Sequence, residues 1–341
     1  MRLENILLDH GSGGLFTQEL VEKVFLPRLD NPILSEFGDS ALIDMGPWGA
    51  GRIAFTTDSY VVDPIFFPGG DIGALAVSGT INDLCMRGAV PLFLSLGLIL
   101  EEGLAMDDLE QVIGSIQAAS CSAGVQVVTG DTKVVPRGKA DKIFINTSGI
   151  GVIKNGADIS SSKASVGDAV ILSGTMGDHG ATILASRHGL AFEGNLKSDV
   201  TALNRMIEAL MNAVPKDAIH TMRDPTRGGV ATALNEIART AGVAIEIDEG
   251  NVPVKPEVKT ACEILGLDPF YLANEGKCLA IVDEKAAESA VYSMRLMPEG
   301  RDAALIGRIK DGRPGQVVLR TKIGGCRILR PLSGEPLPRI C

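Results

Sequence analysis

Residues 71–100 read DIGALAVSGTINDLCMRGAVPLFLSLGLIL, and the change of period inside this stretch decides the fold class. Asp71 is positioned to cap a helix carrying Leu75, Val77, Ile81 and Leu84, with Gly88 as its stop. The apolar run from Ala89 to Leu100 is too short to span a bilayer. It reads instead as a buried strand over Leu92–Leu100. A helix handing over directly to a strand is the unit of an α/β chain.

The alternation continues on both sides. Upstream, Phe16, Leu20, Val21, Val24 and Phe25 recur at helical spacing and Pro27 closes the segment. Ile53–Thr57 is a short strand ending in Asp58, and Asp39 in GDSA precedes another strand. Downstream, Asp107 opens a helix that ends near Gly124, and Val125–Val128 is a strand running into Gly130-Asp131. Lys142–Val152 is a further strand. In the second half, a strand at Ala169–Leu172 leads through a Gly-rich turn to a helix over His179–His188. A helix over Arg227–Ala241 stops at Gly242, and strands follow at Val243–Ile247 and Lys277–Val282. The polar, Ser-rich stretch Lys154–Ser165 interrupts this pattern and marks a domain boundary. SGTIND at 78–83 and SGTMGD at 173–178 fall in different predicted elements, so their likeness is chance.

The 341 residues suffice for two domains, each with its own core. A net charge of −10, one Trp and three Tyr argue against phosphate-backbone binding and base stacking. Glycine supplies 40 residues, above the typical ~7%, so tight turns and close backbone approaches are expected. The N-terminus has charges within any apolar region and no small-residue cleavage signal, which excludes a secretory leader. Six cysteines without CxxC spacing and four scattered histidines predict reduced thiols in a cytoplasmic protein, with no disulfide framework and no zinc site. Five of those cysteines fit ordinary core positions, and Cys341 does not.

Four features bear on chemistry. Asp58 and Asp131 end predicted strands, Asp83 lies in a helix beside Asn82, and Asp39 precedes a strand. Ligands collect beyond the carboxyl ends of strands in α/β sheets. Mg²⁺ keeps its waters and takes a few carboxylates plus phosphates. Converging aspartates of this kind hold Mg–ATP without a P-loop, and no GxxxxGK[ST] is present; each one singly is as well explained as a turn former or cap. HGSGG at 10–14, just before a helix, has the composition of an anion-binding nest or of a plain flexible turn. MRDPTRGGVATAL at 222–234 sets a small-residue helix start behind Pro225 and Gly228-Gly229. There Arg223 and Arg227 serve either a phosphate or the solvent. The tail SGEPLPRIC carries Pro336 and Pro338, which favour an extended form. Eight such residues reach on the order of 25 Å. The tip is a thiol, the most nucleophilic side chain near neutral pH, and as a mere frayed end it would be an oxidation liability.

Together, HGSGG, GDSA, TTDSYVVDP, GTINDLCMRGA, TGDTKVV, GDHG, MRDPTRGG, NEGK and the terminal PRIC resemble the PurM-like ATP-dependent superfamily. Within it they resemble the HypE family of hydrogenase-maturation carbamoyl dehydratases, over the whole length. The HGSGG start and PRIC end are the most specific parts. The resemblance implies two α/β domains, residues 1–157 for ATP binding and dimerisation and 158–333 as the C-terminal domain. A mobile tail, 334–341, carries Cys341. The N-terminal domains of a homodimer would pair into a barrel-like sheet with nucleotide near the interface.

The resemblance further implies that the Cys341 thiol accepts a carbamoyl group from the partner HypF. ATP then activates the carbamoyl oxygen, and dehydration leaves a thiocyanate. The cyano group passes to iron on a HypC–HypD complex for [NiFe]-hydrogenase. Asp58, Asp83 and Asp131 would be the Mg–ATP ligands, with Asp39 and Asn82 as further nucleotide contacts and Gly11, Ser12, Gly13 and Gly14 closing over the phosphates. Lys133 would stabilise charge and Glu275 remove the N–H proton, a role that requires burial to raise its pKa. Two other readings are a PurM-like kinase or synthetase acting on a free small molecule, and a non-catalytic thiol carrier.

Overall fold

The computed structural model describes residues 6–11, 14–29, 31–36, 38–46, 51–153, 156–190, 196–334 and 339–341. Ser12, Gly13, Pro336 and Pro338, all singled out above, lie outside the described residues. The first helical segment runs through α1 (Leu15–Leu20), a π-helical stretch Val21–Phe25, and α2 (Leu26–Leu29). Pro27 therefore does not end it. A proline ring collides with the carbonyl four residues back in a regular helix, and the widened turn just ahead of Pro27 is where a helix relieves that clash.

Five strands form the first sheet, in the order β1–β2–β7–β5–β6. They are β1 (Ala41–Asp44), β2 (Arg52–Tyr60), β5 (Ala89–Glu101), β6 (Gln126–Val135) and β7 (Ile143–Ile153). Between β2 and β5 come a two-stranded hairpin, β3 (Phe66–Phe67) and β4 (Gly70–Asp71), and the helix α3 (Ile72–Met86). Asp71 caps α3 as expected, its Oδ1 accepting the Ala74 N–H at 2.9 Å. The helix α4 (Met106–Ala123) ends at Gly124, which takes φ +71°, and crosses over between β5 and β6, the parallel pair. The other pairs are antiparallel.

One face of this sheet packs on α3; the other stays open. Phe55, Ile150 and Phe93 are register partners across β2, β7 and β5 on that open face, and each is about 40% exposed (40%, 41% and 42%). Almost all of α3 is buried, because its opposite side meets the second domain. A helix apolar all round is what such a sandwiched position selects. Its small residues are a condition of fit: a Cβ on Gly79 would stand 2.4 Å from the Tyr60 hydroxyl.

The second sheet has seven strands in the order β14–β13–β10–β12–β8–β11–β9. Chain order is β8 (Ala169–Leu172), α5 (Asp178–Arg187), α6 (Asn204–Ala213), β9 (Ile219–Arg223), α7 (Gly229–Ala241), β10 (Ala244–Asp248), α8 (Pro256–Leu265), β11 (Leu279–Val282), α9 (Ala287–Arg295), β12 (Ala304–Lys310), β13 (Val317–Arg320) and β14 (Cys326–Leu329). β8 and β11 are buried at every position. Val170, Leu172, Leu279 and Ile281 point towards α7. Ala169, Ile171, Ala280 and Val282 join the core beneath α5, α6, α8 and α9. Covering both faces explains why these strands read as continuous apolar runs without alternation.

Asn82, on α3, fastens the two domains. Its amide nitrogen donates to the carbonyls of Thr201 (3.0 Å) and Glu275 (3.2 Å), and its oxygen accepts the Leu203 N–H at 2.8 Å. Removing a buried partner strands each of these groups, at about 1–3 kcal/mol apiece. Asn82→Ala is therefore expected to lower stability by about 3 kcal/mol or more, read as a reduced urea midpoint. A midpoint within error of the parent would show that the clamp contributes nothing.

Candidate active site

Three elements and two loops deliver carboxyl groups to the seam between the domains. β2 turns Thr56 and Asp58 towards α3, which presents Asp83. The turn before β1 contributes Asp39, the end of β9 leads into Asp224, and the NEGK loop holds Glu275. Thr56 Oγ1 lies 2.8 Å from Asp83 Oδ2 and 3.1 Å from the Asp39 carbonyl. Arg223 pairs with Asp39 at 2.9 Å and Glu236 at 2.6 Å, so its guanidinium is committed within the protein.

Burial drives the electrostatics. It raises the Asp39 carboxyl to about 6 against the pull of Arg223. Burial, with Asp39 adding repulsion, raises Asp224 to about 8. Asp83 is pushed well up by burial and then by Asp224, Asp58 and Asp39. Asp58 is raised by burial, with Arg227 pulling the other way. Glu275 is pushed well up by burial, then by Asp199, Asp224 and Asp58, and its Oε1 has no hydrogen-bond partner. Such a set is under-compensated by protein cations alone. It suits divalent cations, whose charge restores ionisation.

Among the described residues no three Asp, Glu, His or Cys side chains close around a single ion. The arrangement therefore fits Mg²⁺ held by one or two carboxylates with phosphates and water, and not a closed protein cage. Asp58 and Asp83 are the residues in position for this. The expected third ligand is not with them. Asp131 lies inside β6, not at its end, in register with Gly97, Asn146 and Ser59. Its row is the one next to Asp58, and successive side chains on a strand face opposite sides. Asp131 thus points to the open face, exposed and paired with Lys133 at 2.6 Å, which holds its carboxyl below the usual range. One chain does not bring Asp131 or Lys133 to the cluster, and Asn82 is turned to the interdomain clamp described above.

The Gly-rich start does reach the site. Arg227, whose charge acts on Asp58 and Glu275, donates from Nη1 to the Gly11 carbonyl at 2.9 Å. Gly14 sits against Leu332, where a Cβ would come within 2.3 Å of the carbonyl oxygen, and Leu15 N–H donates to that oxygen at 3.0 Å. In MRDPTRGG, Gly228 and Gly229 take φ +75° and +62° at the start of α7, and a Cβ on Gly229 would meet the Phe270 and Leu272 carbonyls at 2.6 Å.

The last three residues dock along the continuation of β2. Val61 N–H donates to the Cys341 backbone oxygen at 3.1 Å and Asp63 N–H to the Arg339 carbonyl at 3.2 Å. Arg339 Nε returns a bond to the Val61 carbonyl at 2.8 Å, and its guanidinium pairs with Asp141. Arg187 donates to the Arg339 and Asp63 carbonyls. Ile340 is buried and Cys341 half-buried. The terminal residue thus hydrogen-bonds three positions along the chain from Asp58.

Four residues of this region were given no role by the sequence: Asp224, Asp199, Lys277 and His179. Asp199 accepts the Glu275 N–H at 3.1 Å and pairs with buried Lys277 at 3.1 Å. Asp224, Lys277 and His179 stood within quoted motifs, and only the packing reveals what they face. A groove of about 590 Å³ between α4 and β6, lined by Leu96, Ile113, Ile116, Val125 and Val127, lies apart from the carboxylates.

Two α/β domains with an under-compensated carboxyl cluster at their seam match known architecture. Residues 37–153 match the family described as AIR synthase related protein, N-terminal domain, and residues 165–320 its C-terminal domain. The fold and site thus define an AIR synthase-related, PurM-like protein. The chain is 48% identical to carbamoyl dehydratase HypE of Azotobacter vinelandii, over 100% of this chain and 98% of that one. It is 46% identical to HypE of Escherichia coli K12, over 99% and 100%. A solved structure of HypE in complex with ATP superposes with a TM-score of 0.83 at 52% identity, covering 99% and 100% of the two chains. A HypE–HypF complex gives 0.86 at 47% identity, covering 92% and 99%. The chain belongs to the HypE family of carbamoyl dehydratases.

The raised carboxyls set a pH dependence. Folded Asp39 and Asp224 hold protons that the unfolded chain has already released above 3.8. The folded state therefore binds more protons, and stability falls as pH rises through the folded values of about 6 and about 8. Without nucleotide, the melting temperature is expected to drop across this window. Asp224→Asn is expected to flatten the upper part of the drop, and added Mg–ATP to reverse it. A pH-independent melting temperature in the parent protein would contradict the cluster's electrostatics.

Proposed function

We propose that this protein uses ATP to dehydrate a carbamoyl group carried on its own Cys341, yielding a protein thiocyanate as cyanide donor for [NiFe]-hydrogenase. The observation that carries this reading is the docking of the terminal residue beside the strand that bears Asp58. The carbamoyl group would come from HypF, as the HypE–HypF complex of a relative supports, and the cyano group would leave to a HypC–HypD iron carrier.

The chemistry runs in two stages. The carbamoyl oxygen attacks the γ-phosphorus of ATP, ADP leaves, and one N–H proton is lost. The C–O bond to phosphate then breaks as the second N–H proton is removed, leaving S–C≡N. Amide oxygen is a poor leaving group and phosphate a good one, which is why ATP is required. Glu275 is the proton acceptor: buried, unpartnered at Oε1 and with a raised pKa, it is a stronger base than an exposed glutamate. Asp58 and Asp83 would hold Mg²⁺, which neutralises charge on the transferred phosphoryl group when bound. Asp39 supports them, and Arg227 with Gly11 to Gly14 closes over the phosphates. Asn82 acts through position, fixing the loop that carries Glu275.

The assigned roles of Asp131 and Lys133 require a second copy. The open apolar face of the first sheet, with Phe55, Phe93 and Ile150, is suited to pairing in a homodimer. That pairing would carry the Asp131–Lys133 pair towards the partner's nucleotide. Residues 1–157, 158–333 and 334–341 would then serve as the ATP-binding and dimerisation domain, the C-terminal domain and the carrier tail.

Intact-mass analysis after carbamoylation tests the reading. One carbamoyl group is expected on the C-terminal peptide, with loss of one water only when Mg–ATP is present. Cys341→Ser is expected to abolish both events, whereas an enzyme acting on a free small molecule would keep its turnover. Asp83→Asn and Glu275→Gln are expected to keep carbamoylation while slowing dehydration by about a hundredfold or more. For the dimer, mixing inactive Asp83→Asn and Asp131→Asn chains is expected to restore dehydration. No restoration would return Asp131 to a role within one chain or to none.

A further inference from the structure

GDHG, residues 177–180, has no role in the chemistry above. Its neighbours account for each position. Gly177 takes φ +83° as the N-cap of α5, and its N–H donates to Asn274 Oδ1 at 2.7 Å. Asp178 pairs with Lys255 at 2.7 Å. A Cβ on Gly180 would stand 3.0 Å from Ala273 N, so glycine allows the helix start to lie against the loop leading to Glu275. That leaves His179, which has no exposed surface (0%).

Both ring nitrogens of His179 are engaged. Nε2 lies 2.7 Å from the Ile340 carbonyl oxygen and Nδ1 lies 2.8 Å from Ser198 Oγ. A carbonyl only accepts, so Nε2 carries the proton. Ser198 Oγ already accepts the Val200 N–H at 3.1 Å, which directs its own hydroxyl hydrogen to Nδ1. Ser198 is held in turn by its N–H on the Pro68 carbonyl at 2.9 Å. Phe67 meets the ring edge-on, at 5.5 Å between centroids and 87° between planes. The chain Val200 N–H, Ser198 O–H, His179 Nε2–H, Ile340 C=O thus selects one tautomer and one ring orientation. It ends on the residue next to Cys341.

We propose that His179 is a positioning residue that latches the carrier tail in the cleft. Its Nε2–H holds the Ile340 carbonyl, and through it seats the Cys341 sulfur while dehydration proceeds. When the tail leaves, that N–H loses its partner in a buried place, so the docked state is favoured by one hydrogen bond. This inference rests on the reading of Cys341 as the carrier.

The test uses the full chain and reads alkylation of each cysteine by iodoacetamide, peptide by peptide, by mass. Cys341 is half-buried when docked, so leaving the cleft raises the access of its thiol to the reagent. His179→Leu is expected to raise its rate roughly threefold to tenfold, the equivalent of one net hydrogen bond. His179→Gln, whose side-chain amide can donate to the same carbonyl, is expected to stay near the parent rate. Ser198→Ala, which frees the tautomer, is expected to fall between. Buried Cys85, Cys262 and Cys278 report on the fold and are expected to stay unreactive throughout. After carbamoylation, His179→Leu is expected to slow single-turnover dehydration by a smaller factor, because a mostly docked tail loses little occupancy, while leaving carbamoyl uptake unchanged. An unaltered Cys341 rate in His179→Leu overturns the latch. So does a rise shared with the three buried cysteines, which would make His179 a fold residue only. Absence of any carbamoyl group on Cys341 would instead sink the carrier reading and leave the alkylation result standing.

Discussion

Packing Asp39, Asp58, Asp83, Asp224 and Glu275 into one interdomain seam is the constraint around which the rest of the molecule is arranged. Arg223 and Arg227 face these five groups, and Arg223 is shared with Glu236. Burial therefore holds protons on carboxyls that would be ionised in water. Such a seam is unfavourable to an empty protein. Cations and phosphates entering it would offset that cost, so ligand binding is expected to stabilise the seam. Local stability is lower where function needs it, and the neighbouring structure offsets the loss. The all-buried α3, with Asn82 bonded to Thr201, Leu203 and Glu275, ties the two cores together beside the charges.

β2 is the common ruler of the site. Its inward positions give Thr56 and Asp58 to the cluster, and its outward position Phe55 belongs to the open face. Its continuation, Val61 to Asp63, receives the tail. Alternation along one strand thus separates a charged side from an apolar side. The same alternation explains why a one-residue difference in register sends Asp131 away from Asp58.

What could be read from the amino-acid order follows from this geometry. The helix over Ile72–Met86, its Asp71 cap and the Gly124 and Gly242 stops were legible, because caps and stops are local chemistry. Strand ends were not. Asp58 and Asp131 read as strand ends because the apolar runs stop there, yet pairing carries β2 to Tyr60 and β6 to Val135. Which face Asp131 occupies depends on the sheet order β2–β7–β5–β6, and that order is a property of the assembled sheet. Much of the second domain, including α6, α8, α9 and β12 to β14, also escaped notice. Its helices bury their apolar stripes beneath strands hidden on both faces, where alternation is lost. The motifs named Asp39, Asp58, Asp83 and Glu275, which the fold brings to one seam, whereas the partners of Asn82, Asp199 and His179 lie far apart in the chain and needed the fold.

On the reading of Cys341 as the carrier, the way the tail docks suits a tethered substrate. A covalent carrier reaches its cleft at high effective concentration, so binding need not supply affinity for the small carbamoyl group. It must, however, release the tip to other proteins before and after the reaction. The docked residues meet both demands. Their bonds to Val61, Asp63, Arg187 and His179 are mostly made by backbone groups of the tail, which fix position without reading side chains. Among the described tail residues Ile340 is the buried apolar anchor, and burying one such side chain is worth about 1.5–3 kcal/mol. A second large apolar residue would hold the tip too firmly for exchange. Replacing Ile340 by a small residue would leave the hydrogen bonds open to water. A short segment that joins backbone pairing to one apolar anchor can therefore be seated accurately and still leave.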